Sequence, residues 1–375
     1  MKYEVPFVDY PEHYGRIWEE IQEAVGQCLL GGDLIMREDM FRFEDKLARM
    51  LHLRKAVSLN SGTDALWFGL KALGVGPGDE VVVPAHTFVA SLAAISHVGA
   101  TPVLCDVGKD MCMSPDSMVE HLTPKTRAVM PVHLNGRCCD MESIKNAVDD
   151  HSRRIGRQVF VVEDAAQALG ATFNHKHAGA MGEFGAFSFY PAKMLGCAGD
   201  GGAFVTNNDV LAQKVELLRD HMMNRAHKNI LFGYGYNSRL DNIQAAILNV
   251  KLKYLTRWIK RRRQIAGMYR KGLRGLDLVL PHYDLFKECY FDVYQNYVVR
   301  SNSRDSLEEY LEAEGVETMV SWRLPLHNQS CLGLGLYHLP NTEAISKTCL
   351  SLPMYPELTD TRVGTVVEKV CSFFD

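Results

Sequence analysis

Between residues 56 and 206 short apolar runs recur, with helix-period segments between them and little polar alternation inside them. The runs are 56–59, 80–83, 101–106, 128–133, 159–163, 186–189 and 203–206. A strand that is apolar on both faces must be covered on both, which is the condition inside a sheet flanked by helices. The intervening patterns 63–73, 87–97 and 141–149 supply those helices. The β-α-β-α order predicts an α/β fold, a three-layer sandwich around a large, mostly parallel sheet.

After residue 240 the pattern changes. Residues 241 to about 273 read as one long helix that carries the basic run Lys260-Arg-Arg-Arg263. Beyond it come a strand-like segment at 294–300, a polar helix at 304–314 and a further strand near 317–321. These form a smaller α+β unit. The expected division is 1–250, a large domain with an N-terminal segment, and 251–375, a linking helix and a small C-terminal domain. A chain of 375 residues suits that arrangement.

A formal charge of −4 gives no general attraction to nucleic acid or to an anionic membrane. The basic run lies on one helix and reads as a solvated face. Met1-Lys-Tyr-Glu-Val-Pro has no apolar signal core, and no apolar run is long enough to span a bilayer. The ten cysteines include no Cys-x-x-Cys pair and read as free thiols in a reducing cytosol, so the expected location is cytoplasmic. Cys138 and Cys139 are sequence neighbours whose side chains diverge on an extended segment, and Asn174-His-Lys-His177 reads as a turn; no metal site is expected. Gly74-Val-Gly-Pro-Gly78 follows a helix and precedes a strand, the reverse of the order a dinucleotide loop needs.

The chemistry concentrates at the ends of the apolar runs. Phe187-Ser-Phe-Tyr-Pro-Ala-Lys193 places one lysine between a short aromatic strand and a glycine-rich loop that ends at Gly202. Phe187, Phe189, Tyr190 and Pro191 imply a buried neighbourhood. Little water and a second cation nearby lower a lysine's pKa and make its amine nucleophilic. Asp164 ends the run at 159–163, and a carboxylate buried there needs a partner. Either a structural Arg or Lys supplies it, or a protonated pyridine nitrogen does. Gln167, three residues on, can lie near the same ring face. Ser61-Gly62-Thr63 enters a helix, where free amides and the helix dipole favour a phosphate; the plainer reading is an ordinary N-cap. Ser188 offers that phosphate a hydroxyl. Phe88, at the exit of another strand, either stacks on a flat ligand or fills the core. An aldehyde, a basic ring nitrogen and a phosphate together describe pyridoxal 5′-phosphate.

As a set, these motifs resemble the DegT/DnrJ/StrS-type sugar aminotransferases, a branch of the fold-type I pyridoxal-phosphate enzymes. The matching runs are Ser-Gly-Thr-Asp-Ala-Leu (61–66), Gly-Pro-Gly-Asp-Glu-Val (76–81), Thr-Phe-Val-Ala (87–90), Pro-Val-His-Leu (131–134), Glu-Asp-Ala-Ala-Gln-Ala (163–168), Ser-Phe-Tyr-Pro-x-Lys (188–193), Gly-Asp-Gly-Gly (199–202) and Asn-Ser-Arg-Leu-Asp (237–241). The resemblance implies that Lys193 is the Schiff-base and catalytic lysine, Asp164 the partner of the ring nitrogen, and Gln167 an amide on the ring face. It makes Gly62, Thr63 and Ser188 phosphate contacts and Phe88 the stacking aromatic. Asn237 is implied to reach the phosphate of a neighbouring subunit, which makes the enzyme a homodimer with shared sites. Two departures stand out: Met194 where the family often has Asn, and Ser321-Trp322-Arg323 where it often has a His-Tyr pair.

The expected activity is transfer of an amino group from L-glutamate to a 3- or 4-keto group of a dTDP-, UDP- or GDP-linked deoxysugar, with pyridoxamine phosphate formed between the two halves. Its product would serve O-antigen, other surface polysaccharide or glycoside synthesis. The alternatives are a keto-inositol aminotransferase and a pyridoxal-phosphate-binding regulator without turnover.

Overall fold

A computed structural model describes residues 3–225, 227, 230–281 and 289–375. Its centre is a seven-stranded sheet in the order Lys55–Leu59, Gly202–Thr206, Phe184–Ser188, Phe160–Asp164, Thr126–Val129, Glu80–Pro84 and Thr101–Cys105. Gly202–Thr206 pairs antiparallel with both of its neighbours, and every other pairing in the sheet is parallel. Alternate residues feed opposite layers. Val82, Val129, Val161 and Val205 join one apolar cluster. Val81, Val83, Ala128, Val162 and Phe204 join the other. This two-sided burial is why the runs lack polar alternation.

Helices cover both faces. Gly62–Ala72 starts directly after the first strand, with Ser61 as N-cap accepting from the Asp64 amide at 3.1 Å. Val89–His97 follows the strand Glu80–Pro84, with Phe88 as its extended N-cap residue. The helix therefore begins two residues later than the pattern 87–97 implies, and the Phe88 side chain is left outside its first turn. Met141–Ile155 packs beside the strand Phe160–Asp164.

The long helix expected at 241–273 is two helices, Asn242–Leu252 and Leu255–Gly272. No Pro or Gly marks the break. At it the ladder tightens, the Lys253 amide donating to Val250 O at 3.2 Å and the Tyr254 amide to Lys251 O at 3.0 Å. Lys253 and Tyr254 both bond Glu20 of the N-terminal helix Trp18–Gly31. These contacts at the break come from a residue more than 230 positions away in sequence.

The C-terminal part has its own apolar cluster, including Tyr269, Tyr297, Leu311, Leu352 and Val366, and Val5 packs into it. Its two-stranded antiparallel sheet joins Tyr297–Arg300 to Cys349–Leu352. The strand expected near 317–321 is reduced to an isolated bridge from Met319 to Ser351, and the partner strand at 349–352 is one the sequence pattern did not single out. No helix among the described residues is long and apolar enough to cross a membrane.

Candidate active site

Leu59, Pro84, Val129, Asp164 and Ser188 end their strands at the same edge of the sheet. In open α/β sheets the crevice outside these carboxyl ends is where ligands bind. Gly62, Thr63, Phe88, Asp164, Gln167, Ser188 and Lys193 lie on segments that leave this edge, whereas Asn237 reaches it from the segment before the helix Asn242–Leu252.

Asp164 is buried at 6% exposure. Its Oδ2 accepts from Ser91 Oγ at 2.8 Å and its Oδ1 from the Ala166 amide at 3.1 Å. Ser91 is paired in turn with Thr87 Oγ1 at 2.9 Å. Among the described residues no arginine, lysine or histidine forms an ion pair with Asp164, although Lys193 lies within the field of its charge. The next residue back behaves differently. Glu163 points to the opposite face of the strand and is saturated. His133 Nε2 donates to it at 2.8 Å, as do the amides of Gly179 at 2.8 Å, Met181 at 2.6 Å and Gly182 at 2.5 Å. The His133 Nδ1 accepts from the Cys139 amide at 3.0 Å, which places the ring hydrogen on Nε2. Of two adjacent carboxylates, one is closed by its donors and the other faces the strand edge. Ser91, Glu163 and His133 were not singled out from sequence, though the run Pro-Val-His-Leu contains the histidine.

Lys193 lies on the loop between the paired strands Phe184–Ser188 and Gly202–Thr206, where Ser188 pairs with Gly202. Its amide donates to Tyr190 O at 2.8 Å, which closes a tight turn. Burial pushes the Lys193 ammonium below the ordinary lysine range, and the negative charge of Asp164 opposes that shift. The lysine and the carboxylate therefore sense each other although 29 positions separate them in sequence. Phe187 and Phe189 are buried as expected, but Tyr190 is 54% exposed. Met194 is 4% exposed and packs into the core. The side chain following the lysine thus belongs to the protein interior rather than to the open edge.

The amides of Gly62 and Thr63 precede the first intrahelical bond, from Ala65 N–H to Ser61 O, and so stand free for an acceptor. Ser188 is against them: a side-chain carbon on Gly62 would come within 3.0 Å of Ser188 Cβ and 3.2 Å of Phe187 O. Any larger residue would need these neighbours to give by a few tenths of an ångström, so glycine eases the approach. Both readings of the segment are realised, Ser61 being the cap and Gly62-Thr63 the free helix terminus. Phe88 is 59% exposed at the mouth, one turn of chain from Ser91. Gln167 Oε1 accepts from the Asn135 amide at 2.9 Å, and Asn135 Oδ1 accepts from Asn296 at 3.1 Å. Asn237 is exposed, with its carbonyl accepting from Asn60 Nδ2 at 3.2 Å, two residues before Gly62.

His86 lies under the same edge, 3% exposed, in edge-on contact with Trp322 at 5.0 Å between ring centroids. Trp322 holds φ of +57°, which turns its indole towards the strand ends, whereas Arg323 pairs with Asp305 and Glu308 at the surface. Burial pushes His86 from 6.5 down to about 4, against the field of Asp106. Its ring is neutral in the fold and gains a proton on unfolding between those limits. Stability from this group is complete above pH 6.5 and is lost as pH falls towards 4. The loss is on the order of 3 kcal/mol. Urea unfolding of His86→Phe at pH 7 and pH 4.5 should show a smaller drop between the two than the native chain shows. Equal drops would place the acid-sensitive group elsewhere.

A buried carboxylate with hydroxyl and amide donors and no ion-paired side chain among the described residues fits a protonated ring nitrogen. A helix terminus with free amides and a nearby serine fits a phosphate. A half-buried lysine whose charge is disfavoured by burial, close to that carboxylate, fits an aldehyde. The residues present thus fit pyridoxal phosphate.

Comparison with known proteins agrees. The family model for the DegT/DnrJ/EryC1/StrS aminotransferase family matches residues 16–371. A UDP-N-acetyl-3-dehydro-alpha-D-glucosamine 3-aminotransferase of Acidithiobacillus ferrooxidans is 38% identical, over 97% of both chains. A dTDP-3-amino-3,4,6-trideoxy-alpha-D-glucose transaminase of Streptomyces venezuelae is 37% identical over 98% of this chain and 95% of its own. The crystal structure of S. venezuelae DesV in complex with a ketimine intermediate superposes with a TM-score of 0.93 at 37% identity, covering 99% of this chain and 98% of that one. The fold is that of a pyridoxal-phosphate-dependent aminotransferase. Within that class, the chain belongs to the DegT/DnrJ/EryC1/StrS aminotransferase family.

Proposed function

We propose that this aminotransferase moves the amino group of L-glutamate to the 3- or 4-keto group of a nucleotide-linked deoxysugar, in the synthesis of aminosugars for surface polysaccharides or glycosides. The observation that carries this reading is that relatives named as dTDP-, UDP- and GDP-aminosugar enzymes match it over most of their length. One relative, from Geobacillus stearothermophilus, is named a pleiotropic regulatory protein and is 37% identical over 99% of this chain. A site that keeps both Lys193 and Asp164 favours turnover over a purely regulatory role, and the sugar-nucleotide names favour these acceptors over a keto-inositol.

Bound pyridoxal phosphate supplies an aldehyde that links to amines and a ring that accepts electron density from the attached carbon. Lys193 Nζ would hold the cofactor until an amino donor replaced it. Once free, Nζ would carry the α-proton of glutamate to the former aldehyde carbon and, in the second half of the reaction, carry a proton from that carbon to the former keto carbon of the acceptor. Asp164, oriented by Ser91 and the Ala166 amide, keeps a proton on the ring nitrogen. Gly62, Thr63 and Ser188 would hold the phosphate, with Phe88 and Gln167 as the candidates to contact the ring. Trp322 with His86 forms a wall of the acceptor pocket.

The enzyme works as a cytoplasmic homodimer in which Asn237 reaches the neighbouring subunit's phosphate. Support comes from apolar side chains exposed beside Asn237 in the chain: Ile230, Leu231, Phe232 and the fully exposed Tyr234. Residues 1–250 act as the cofactor-binding unit and 251–375 as the smaller one.

The test is a panel of dTDP-, UDP- and GDP-linked 3- and 4-ketosugars, incubated with glutamate and the purified protein, with mass detection of the amino product. One member should give product and 2-oxoglutarate in equal amounts. Glutamate consumed with no sugar aminated, while a keto-inositol is aminated instead, would reject the acceptor class.

A further inference from the structure

A second lysine is buried close to the site. Lys251, on the helix Asn242–Leu252, is 2% exposed. Its Nζ donates to the Gly196 carbonyl at 2.6 Å and stands 4.8 Å from the centroid of the Tyr14 ring. Among the described residues no carboxylate pairs with it. Glu357, whose field favours its charge, bonds His13 at 2.9 Å. The other titratable group acting on it is the buried Cys197 thiol.

Gly196 belongs to the loop that carries Lys193. That loop folds back on itself, since a side-chain carbon at Gly196 would lie 2.3 Å from Pro191 O. Three further side chains grip its backbone. Tyr14 Oη donates to Cys197 O at 3.2 Å, Gln244 Oε1 accepts from the Ala198 amide at 2.9 Å, and Gln295 Nε2 donates to Ala192 O at 2.7 Å. Gln244 and Lys251 lie two turns apart on one helix, so they present a common face to the loop. The backbone is thus held immediately before Lys193 and at three consecutive residues beginning three positions after it.

Burial pushes the Lys251 ammonium down to about 8. A lysine whose folded pKa lies below its unfolded one lowers stability at neutral pH, and the penalty disappears only as pH rises through the interval between them. Stability alone therefore does not account for a charged lysine at this place.

We infer that Lys251 is a positioning residue for Lys193: its ammonium fixes the Gly196 carbonyl, and with it the turn that aims the Lys193 amine at the reacting carbon. The inference rests on the reading of Lys193 as the cofactor-linked lysine. A displacement of about 1 Å in a reacting group is enough to lower a rate by up to roughly 100-fold.

The test compares Lys251→Met, Gln244→Ala and Lys193→Ala in the holoenzyme. Lys251→Met should bind cofactor and melt at pH 7 no lower than the native protein, yet transfer the amino group of glutamate at least roughly tenfold more slowly. Its visible band should titrate at a shifted pH. Amide exchange in the 190–201 peptide should be faster, both with cofactor and after its removal. Gln244→Ala should move exchange and rate in the same direction by less, which also covers the case in which Lys251→Met fails to fold. Native rate and exchange in both variants, or a rate loss matched by an equal loss of folded protein, would overturn the proposal. Lys193→Ala separates the two readings. If it keeps the visible band, the assignment of Lys193 falls and the positioning role with it. If it loses the band while Lys251→Met behaves as native, only the positioning role is rejected.

Discussion

Replacing Lys193 by alanine is expected to remove the visible absorption of the lysine-linked cofactor and to lower amino transfer by about 10⁴-fold, the upper end of what a positioned acid–base group contributes. Two properties of the structure set this expectation. The loop backbone is held on both sides of residue 193, so truncation should leave the loop in place and remove only the amine. Burial also lowers the ammonium's pKa, so a larger share of the free side chain is neutral and able to accept a proton than for a lysine in water. Rapid mixing of the cofactor-loaded variant with glutamate measures the half-reaction directly. A small primary amine added to the medium should restore part of the lost rate, because it replaces the missing base without the missing tether. A half-reaction at the native rate would refute the assignment.

The second large effect is expected from Asp164→Asn. With the asparagine oxygen kept on the Ala166 amide, its Nδ2 can donate to Ser91 Oγ, whose own hydrogen then turns to Thr87 Oγ1, so fold and melting temperature should change little. What is lost is the negative charge, and with it the charge-assisted bond to a protonated ring nitrogen. Such bonds are worth roughly 1.5–3 kcal/mol. The half-reaction with glutamate should therefore slow by on the order of 10- to 100-fold. Glu163→Gln is the informative contrast. Glu163 takes four donors deep in the sheet and touches no reacting group, so its neutralisation should lower stability and leave the rate per folded molecule unchanged. If Glu163→Gln slowed the chemistry and Asp164→Asn did not, the roles of the two carboxylates would be exchanged.

Much of this was legible in the chain. Each of the seven apolar runs overlaps a strand of the sheet, with ends displaced by a few residues at most. Lys193 and Asp164 stood out because each follows an apolar run at a point where a polar side chain is unexpected. Other features were hidden for a common reason. Ser91 reaches Asp164 across 73 positions and Lys251 reaches Gly196 across 55. No local pattern announces a partner that far away. The helix break at Lys253 and Tyr254 was hidden because no helix-breaking residue marks it, and the Glu20 side chain that both bond is remote in sequence. The exposure of Tyr190 and the inward turn of Met194 follow from how one loop lies on the core, which hydrophobicity does not state.

Periodicity and the chemistry of strand ends, which are local properties of the chain, determined the layered α/β architecture and the placement of a lysine, a carboxylate and a free helix terminus at strand exits. Tertiary structure alone decided that these exits meet at one edge, that Glu163 is closed by its donors while Asp164 stays available, and that a second buried lysine braces the loop of the first. The physical reason is that a buried polar group takes its character from whichever partners desolvation leaves it, and folding brings those partners from remote parts of the chain.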